Sequence, residues 1–408
     1  MFPERESGAN AAERARRRLL VLGAGPAQLG LLRAARERGL FVIACDRDPA
    51  APGFEYVDRR AVVSTEDEPA IGMLAAAEAI DGVIAPGIDW PVAIAARLAA
   101  RFGLVHPLTP ETAARAVSKQ RQRERLDECG VPQPRWRVVT HTPDDFPVPC
   151  VVKPPDRQGQ KGLTLVRDRD ELETAVSVAV AASRGGVALL EELVDGPEVT
   201  VNAFSTAGEF HPLTVTDRLT AEPPAFGVAL AHAWPSEHEV EGAVDAARQA
   251  AEALGVENGP TYTQVVLSSE GPKVMELAAR LGGGHDAELC QAALGIDLNG
   301  LALAAALGEA ASVPAAKPIG GACVRFLVPA PGTLVSVDGL DGALALDGIV
   351  DARVYRRPGW IFMPLRRGAD RAGFVLATGG SRDEALTRAD QAADLIRLET
   401  ADAEALVP

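Results

Sequence analysis

Residues 273–284, KVMELAARLGGG, carry a carboxylate at Glu276 and a guanidinium at Arg280 into three consecutive glycines. With the preceding TYTQVVLSSEGP, the run has the form of a β-hairpin. A five-residue loop at 268–272 would pair Leu267 with Lys273, and counting outward sets Gln264 opposite Glu276. Directly opposed side chains on one face have Cβ atoms about 4.5–5.5 Å apart, so these two oxygen donors could chelate one hard cation. Mg2+ prefers carboxylate and phosphate oxygens and keeps several waters; one Glu and one amide oxygen therefore suffice only if a nucleotide supplies other ligands. Alternation puts Ala278 and Arg280 on the Glu276 side. Gly282, Gly283 and Gly284 would let backbone amides approach an anion as a concave donor nest.

Two further segments carry charge in suggestive settings. VVKPPDRQGQKGLTLV ends an apolar strand at Lys153 and continues through Gln158, Gly159, Gln160, Lys161 and Gly162 into a second strand. Such a loop could fold over phosphates with Lys153 beneath as a point charge. It differs from a Walker loop, which opens a helix and reads GKS or GKT, and an ordinary hairpin would have the same pattern. LLEELVDGPEVTV sets Glu191 and Glu198 around an Asp-Gly turn, where they could accept from an adenine amino group and ribose hydroxyls; surface acids explain either one alone. Only five of the 41 basic residues are lysine. Where Arg is the default cation, Lys119, Lys153 and Lys161 mark places that need a compact ammonium.

The elements that must position these residues read as a mixed α/β and α+β multidomain chain. At 408 residues it is about three times a typical domain of ~100–150 residues. A charged, disordered tail is expected over 1–17. RRLLVLGAGPAQLGLLRAARERGLFVIACDRDP reads strand, glycine turn, helix, strand, and that alternation continues to residue 108 as a small doubly wound, Rossmann-like domain. Two helices follow over 109–139, with Thr109 as N-cap and Gly130 as a stop. Short strands and one helix make an α+β unit at 140–205. Strands, a helix and the hairpin fill 206–315, and 316–408 is a last α/β region.

GAGPAQLG has two glycines after a strand and Asp46 at the end of the next, as in a dinucleotide site, but Gln28 stands where the third glycine belongs. A lone GxG is weak evidence, and the turn is read as structural or substrate-facing. The net charge of -15 leaves no basic face for general nucleic-acid binding. The five cysteines, an odd number without CxxC spacing, read as reduced thiols. The N-terminus lacks a signal peptide's apolar stretch, and no run approaches the ~20 apolar residues of a membrane span. A cytoplasmic protein without membrane or nucleic-acid partners is expected.

Lys119 before a helix, KPPDRQGQKG, EELVDGPE and the hairpin running into ELAARLGGG, in that order, resemble the ATP-grasp superfamily over nearly the whole chain. The chain is most similar to the L-amino-acid ligases that make dipeptides. ELAAR takes the place of ExNxR, GACVRFLVPAPGTLVSV with DRAGFVLATGGSRDEALTRA looks like their C-terminal domain, and TDR at 216–218 and AHAWPS at 231–236 fit the region bordering the acceptor pocket. The resemblance implies an ATP-grasp fold: a Rossmann-like pre-ATP-grasp domain, a helical linker, a lid subdomain at 140–205, a catalytic subdomain at 206–315 and a ligase-type C-terminal domain.

It further implies that Lys119 and Lys153 contact ATP phosphates under a mobile lid at 156–162, which includes Gln158, Gly159, Gln160, Lys161 and Gly162. Glu191, Glu192 and the Leu193 backbone would hold adenine, Glu198 the ribose, and Glu276 with Gln264 the Mg2+. Arg280 looks like the residue that stabilises an acyl phosphate or holds a substrate carboxylate. Gly283 and Gly284 amides would stabilise an oxyanion. Arg218, His232 and Trp234 would border the acceptor, and His285 could deprotonate the amine; either histidine also reads as a hydrogen-bonded loop residue, and Trp234 as a core indole. Gln264 departs from the usual Glu or Asp, and Ala278 removes a possible third ligand, which should weaken a second magnesium.

The implied activity joins a small-molecule carboxylate to an amine through an acyl phosphate, in a homodimer. Another acceptor (bicarbonate or a nucleotide-pathway amine) and a nucleotide-binding module without turnover are the alternatives.

Overall fold

A computed structural model of the protein describes residues 16–223 and 225–401, so the tail expected at 1–17 lies almost wholly outside the described residues. The strand β1 (Arg18–Leu22), apolar and buried after Arg18, leads through a turn to α1 (Leu29–Glu37) and β2 (Phe41–Asp46), followed by β3 (Arg59–Val62), α2 (Glu68–Glu78), β4 (Gly82–Ile84) and α3 (Trp90–Phe102). The strands are parallel in the order β3-β2-β1-β4. At the turn Gly23 has φ +114°, open only to glycine without strain. Gln28, 1% exposed, folds into this turn and donates to the Pro86 carbonyl at 2.7 Å. Asp46 accepts from the Ala24 amide at 3.0 Å. The turn is therefore filled by its own side chain, and the acid expected of a ribose site holds the loop.

Next come α4 (Pro110–Ala116), capped by Thr109, and α5 (Lys119–Glu128), capped by Ser118. A small antiparallel sheet of β5 (Trp136–Val139), β6 (Cys150–Lys153), β7 (Thr164–Val166) and β8 (Ala188–Glu192), in the order β5-β8-β6-β7, packs one apolar face on α6 (Leu172–Ala182).

The remaining strands build an eight-stranded sheet from β9 (Glu198–Thr206), β10 (Glu209–Thr220), β11 (Ala229–Trp234), β12 (Gly259–Ser268), β13 (Gly271–Ala278), β14 (Gly321–Leu327), β16 (Ile349–Val354) and β18 (Gly373–Gly379). Its order is β13-β12-β9-β10-β11-β14-β18-β16. The helix α7 (Glu241–Leu254) covers its β12–β13 end, and α8 (Asp286–Leu294) and α9 (Leu298–Ala306) join it to the N-terminal domain. A small sheet of β15 (Gly332–Asp338), β17 (Ile361–Phe362) and β19 (Arg397–Ala401), with the short α10 (Leu340–Leu344) and the longer α11 (Arg382–Leu395), completes the chain. None of the helices among the described residues is long and apolar enough to cross a membrane.

Two features differ from the sequence reading. The strand Glu198–Thr206, grouped above with the lid unit, pairs with β10 and β12 in the large sheet. That sheet also runs on past residue 316, because β14 pairs with β11. Both differences are long-range pairings that local alternation does not reveal. Phe204, 1% exposed, lies in the core between this sheet and the N-terminal domain. Phe204→Ala should cost about 3–5 kcal/mol and lower the urea unfolding midpoint without changing the slope.

Candidate functional site

The hairpin β12–β13 turns more tightly than five residues allow. Ser268 pairs with Gly271 and Leu267 with Pro272, one position off the expected register. A β-bulge between Gln264 and Val265 then restores the pairing of Gln264 with Glu276. The extra residue reverses the alternation, so Val274 and Leu277 both enter the core while Glu276 stays on the open face.

The bulge is held from outside the sheet by Arg123, which is 2% exposed. Its guanidinium donates to the carbonyls of Val274 at 2.9 Å and Met275 at 2.5 Å. Its Nε pairs with Glu191 at 2.8 Å, and the other oxygen of Glu191 lies 2.6 Å from Lys153 Nζ. Sequence reasoning missed Arg123 among the charges of KQRQRER; the available signal was its i+4 spacing from Lys119 and i−3 spacing from Leu126 on one helical face. Glu191 is 1% exposed with both oxygens engaged, which corrects the expectation that its side chain accepts from adenine. Glu192 pairs with Lys273 at 2.9 Å and Arg135 at 2.6 Å, and the Leu193 amide donates to Pro149 O at 3.4 Å.

Lys119, at the first turn of α5, pairs with Glu276 at 2.8 Å and donates to the Arg157 carbonyl at 3.2 Å. Burial opposes its charge, but Glu276 and Asp89 outweigh this and raise its pKa. Burial dominates at Lys153 and, with Arg123 and Lys119 nearby, lowers its pKa in spite of Glu191. Burial would raise both carboxylates, yet Arg123 and Lys153 hold Glu191 at about 2, and Lys119 and Lys153 depress Glu276. The result is a buried ion-pair network from four segments of chain.

The loop 156–162 closes over this network. Gly159, Gln160 and Gly162 adopt positive φ. Gln158 Oε1 accepts from the Asp89 and Trp90 amides at 2.8 and 3.2 Å, at the start of α3, and Gln160 donates to Phe226 O at 3.1 Å. Lys161 is exposed. Asp89, unnoticed in the sequence, takes Arg280: Nε at 2.7 Å and Nη2 at 2.6 Å. Arg280 also lies 5.7 Å from the Tyr262 ring, on the Glu276 side of the hairpin as alternation suggested.

The triglycine loop is tight for packing reasons. A Cβ on Gly283 would lie 3.0 Å from the Gly87 carbonyl, and one on Gly284 2.8 Å from His232 Nε2. None of the three glycines has positive φ, and the Gly284 amide already donates to Asp286 at 3.0 Å. A ready anion nest at Gly284 is therefore corrected to a closed turn.

His285 faces away from this groove. Its Nε2 lies 2.6 Å from Tyr355 Oη, its Nδ1 3.7 Å from Glu288, and its ring stacks on Phe374 at 3.6 Å. With Nε2 engaged by Tyr355 and the ring packed on Phe374, the possible amine base is corrected to the other reading given for it, a packed, hydrogen-bonded residue. His232 is 2% exposed, and burial holds its pKa at about 4, so it is neutral at pH 7. Arg218 pairs with Glu198, leaving that acid engaged where ribose was expected. Trp234 packs against the core beneath β11.

Residues 116–284 match the family model described as ATP-grasp domain, and 325–401 match L-amino acid ligase C-terminal domain 2. Residues 116–284 are thus an ATP-grasp domain. This domain contains every residue of the ion-pair network. The chain is 29% identical over 313 residues to an uncharacterized protein of Sinorhizobium fredii, covering 74% of this chain and 64% of that relative's length. It is 27% identical to a formate-dependent phosphoribosylglycinamide formyltransferase of Erythrobacter litoralis, over 94% of this chain and 99% of the other. The ATP-grasp fold is shared with an L-amino acid ligase from Bacillus licheniformis (TM-score 0.80, 22% identity, 95% and 99% coverage). It is shared too with a phosphoribosylglycinamide synthetase from Anaerococcus prevotii (0.77, 20%, 95% and 100%).

Because the folded pKa of Glu191 lies below its unfolded value, its stabilisation is present above about pH 4.5 and lost as pH falls toward about 2. Arg123→Met should cost about 3–5 kcal/mol at pH 7 by leaving a buried carboxylate short of a partner. Denaturant titrations should show that gap narrowing between pH 7 and pH 2.5.

Proposed function

We propose that the protein is an ATP-dependent carboxylate–amine ligase that joins amino acids or amino-acid-like metabolites, releasing ADP and phosphate. The observation that carries this reading is the convergence of Lys119, Lys153, Glu276 and Arg280 beneath the loop 156–162. The ligase-type C-terminal match supports amino acids as substrates.

In the first step a substrate carboxylate oxygen attacks the γ-phosphorus of ATP, and ADP leaves. Lys119 and Lys153 would exchange their carboxylate partners for phosphate oxygens. In the second step the amine nitrogen attacks the acyl carbon, phosphate departs with the electron pair of the C–O bond, and one proton is lost from nitrogen. Arg280, freed from Asp89, would hold the acyl phosphate and the developing oxyanion. Gln158 docked on α3 would keep the loop down and exclude water that would hydrolyse the activated acid.

Glu276 and Gln264 fit a metal of limited demand: one ionised carboxylate and, directly across the ladder, one amide whose nitrogen donates to Tyr262 at 3.3 Å and whose oxygen remains for a cation. These residues would hold Mg2+ arriving with ATP, which spreads the phosphate charge. Glu198 and the backbone at Leu193 remain the groups proposed for the nucleoside, and a homodimer is the proposed assembly. The formyltransferase relatives, whose name specifies formate and phosphoribosylglycinamide, favour a second reading with a phosphoribosyl amine as acceptor.

Release of ADP from pairs of amino acids tests the proposal. Glu276→Ala should lower the rate on the order of 10²-fold, and unchanged turnover would refute the metal assignment. Gln264→Glu should lower the Mg2+ concentration needed for half-maximal rate, read from the same assay; an unaltered requirement would remove Gln264 from the metal site.

A further inference from the structure

The nucleotide site proposed above is entered past the loop 156–162, and we infer that Arg184 is a positioning residue that latches this loop onto the N-terminal domain. The inference rests on that reading of the groove, but on contacts that lie outside it. Arg184 sits in the turn after α6, at the base of the loop. Its guanidinium stacks over the Trp90 ring at 3.7 Å, pairs with Glu66 at 2.6 Å and donates to the Asp156 carbonyl at 2.9 Å. One planar fork thus reaches the first residue of the loop and two residues of the N-terminal domain at once, which a lysine's single ammonium does not reproduce. Arg184, Trp90 and Glu66 have no assigned part in holding phosphate, metal or substrate. The loop therefore needs no nucleotide to be held down, and the latch must release before a nucleotide can pass.

The turn and the loop move as one piece. Asp156 Oδ2 accepts from Ser183 Oγ at 3.1 Å and from the Gly185 amide at 2.9 Å, the residues on either side of Arg184, and Arg157 donates to the Ala182 carbonyl at 2.6 Å. On the N-terminal domain two contacts converge on Trp90, whose amide donates to Gln158 and whose ring lies under Arg184. Gln158 satisfies amides that the start of α3 leaves without an intrahelical partner. Asp89, the N-cap residue, makes no capping bond with its own side chain and holds Arg280 instead. The latch therefore closes on the same helical turn that fixes Arg280. Glu66 is half exposed, and an ion pair of that kind contributes little by itself. Stacking on the indole face and the bond to the loop make the contact cooperative. Contacts outside the groove hold the closed loop equally whether or not a nucleotide lies beneath it, so they cancel in the dissociation constant and act on the rates of entry and exit.

Stopped-flow mixing of the full chain with N-methylanthraniloyl-ADP and Mg2+, followed by displacement with excess ADP, reads both rates. Arg184→Met should speed association and dissociation together by about 5- to 30-fold and leave their ratio unchanged. Arg184→Lys, whose ammonium still lies over Trp90, should recover part of the slowing. Glu66→Gln, at a half-exposed site that does not threaten folding, should speed both rates by a smaller factor and should add nothing in an Arg184→Met background. A side chain that merely stabilised the fold would leave association unchanged. Association by the wild type at a rate that neither Arg184→Met nor Glu66→Gln alters overturns the latch while leaving the ligase standing. No association of the analogue with the wild type overturns the nucleotide site and the latch together.

Discussion

The buried guanidinium of Arg123 is the constraint on which the site depends. It satisfies the carbonyls exposed by the bulge in β13, and the bulge brings Glu276 opposite Gln264. It also neutralises Glu191, whose second oxygen holds Lys153. One side chain therefore links the helix bearing Lys119, the lid sheet bearing Lys153 and the hairpin bearing Glu276. A buried charge of this kind is weak evidence for stability, because desolvation offsets most of its attraction, and here it fixes geometry.

The charges of the groove are all compensated from within the chain. Lys119 is matched by Glu276, Lys153 by Glu191 and Arg280 by Asp89. On the proposed reading, a triphosphate entering this groove would compete with carboxylates for three cations, and Glu276, released by Lys119, would be the residue left to hold its divalent ion. Such an exchange of partners would change the net buried charge little, and the carboxylates keep the groove from carrying naked cations without a ligand. The loop 156–162 takes part in the same arrangement, since Gln158 caps the segment that carries Asp89.

Much of this was legible in the sequence. The apolar run before Lys153, the cap at Thr109 and the glycine turn after β1 follow from local chemistry. The opposition of Gln264 and Glu276 was reached from a hairpin register that is one residue off, and the bulge supplies the missing residue. What could not be read is long-range. Arg123 looks like a surface charge until the hairpin is folded against it, and Asp89 and Arg280 stand far apart in the chain. His285 was drawn to the chemistry by its place after the glycines, but its φ of +60° turns the ring into the C-terminal core.

These separate segments are proposed to form one site for a nucleoside triphosphate and its metal. Calorimetric titration with ATP or ADP in the presence of Mg2+ tests it most directly. Saturable one-to-one binding that weakens when Mg2+ is withheld is expected. Absence of any heat of association with adenine nucleotides, whatever the cation, would contradict it.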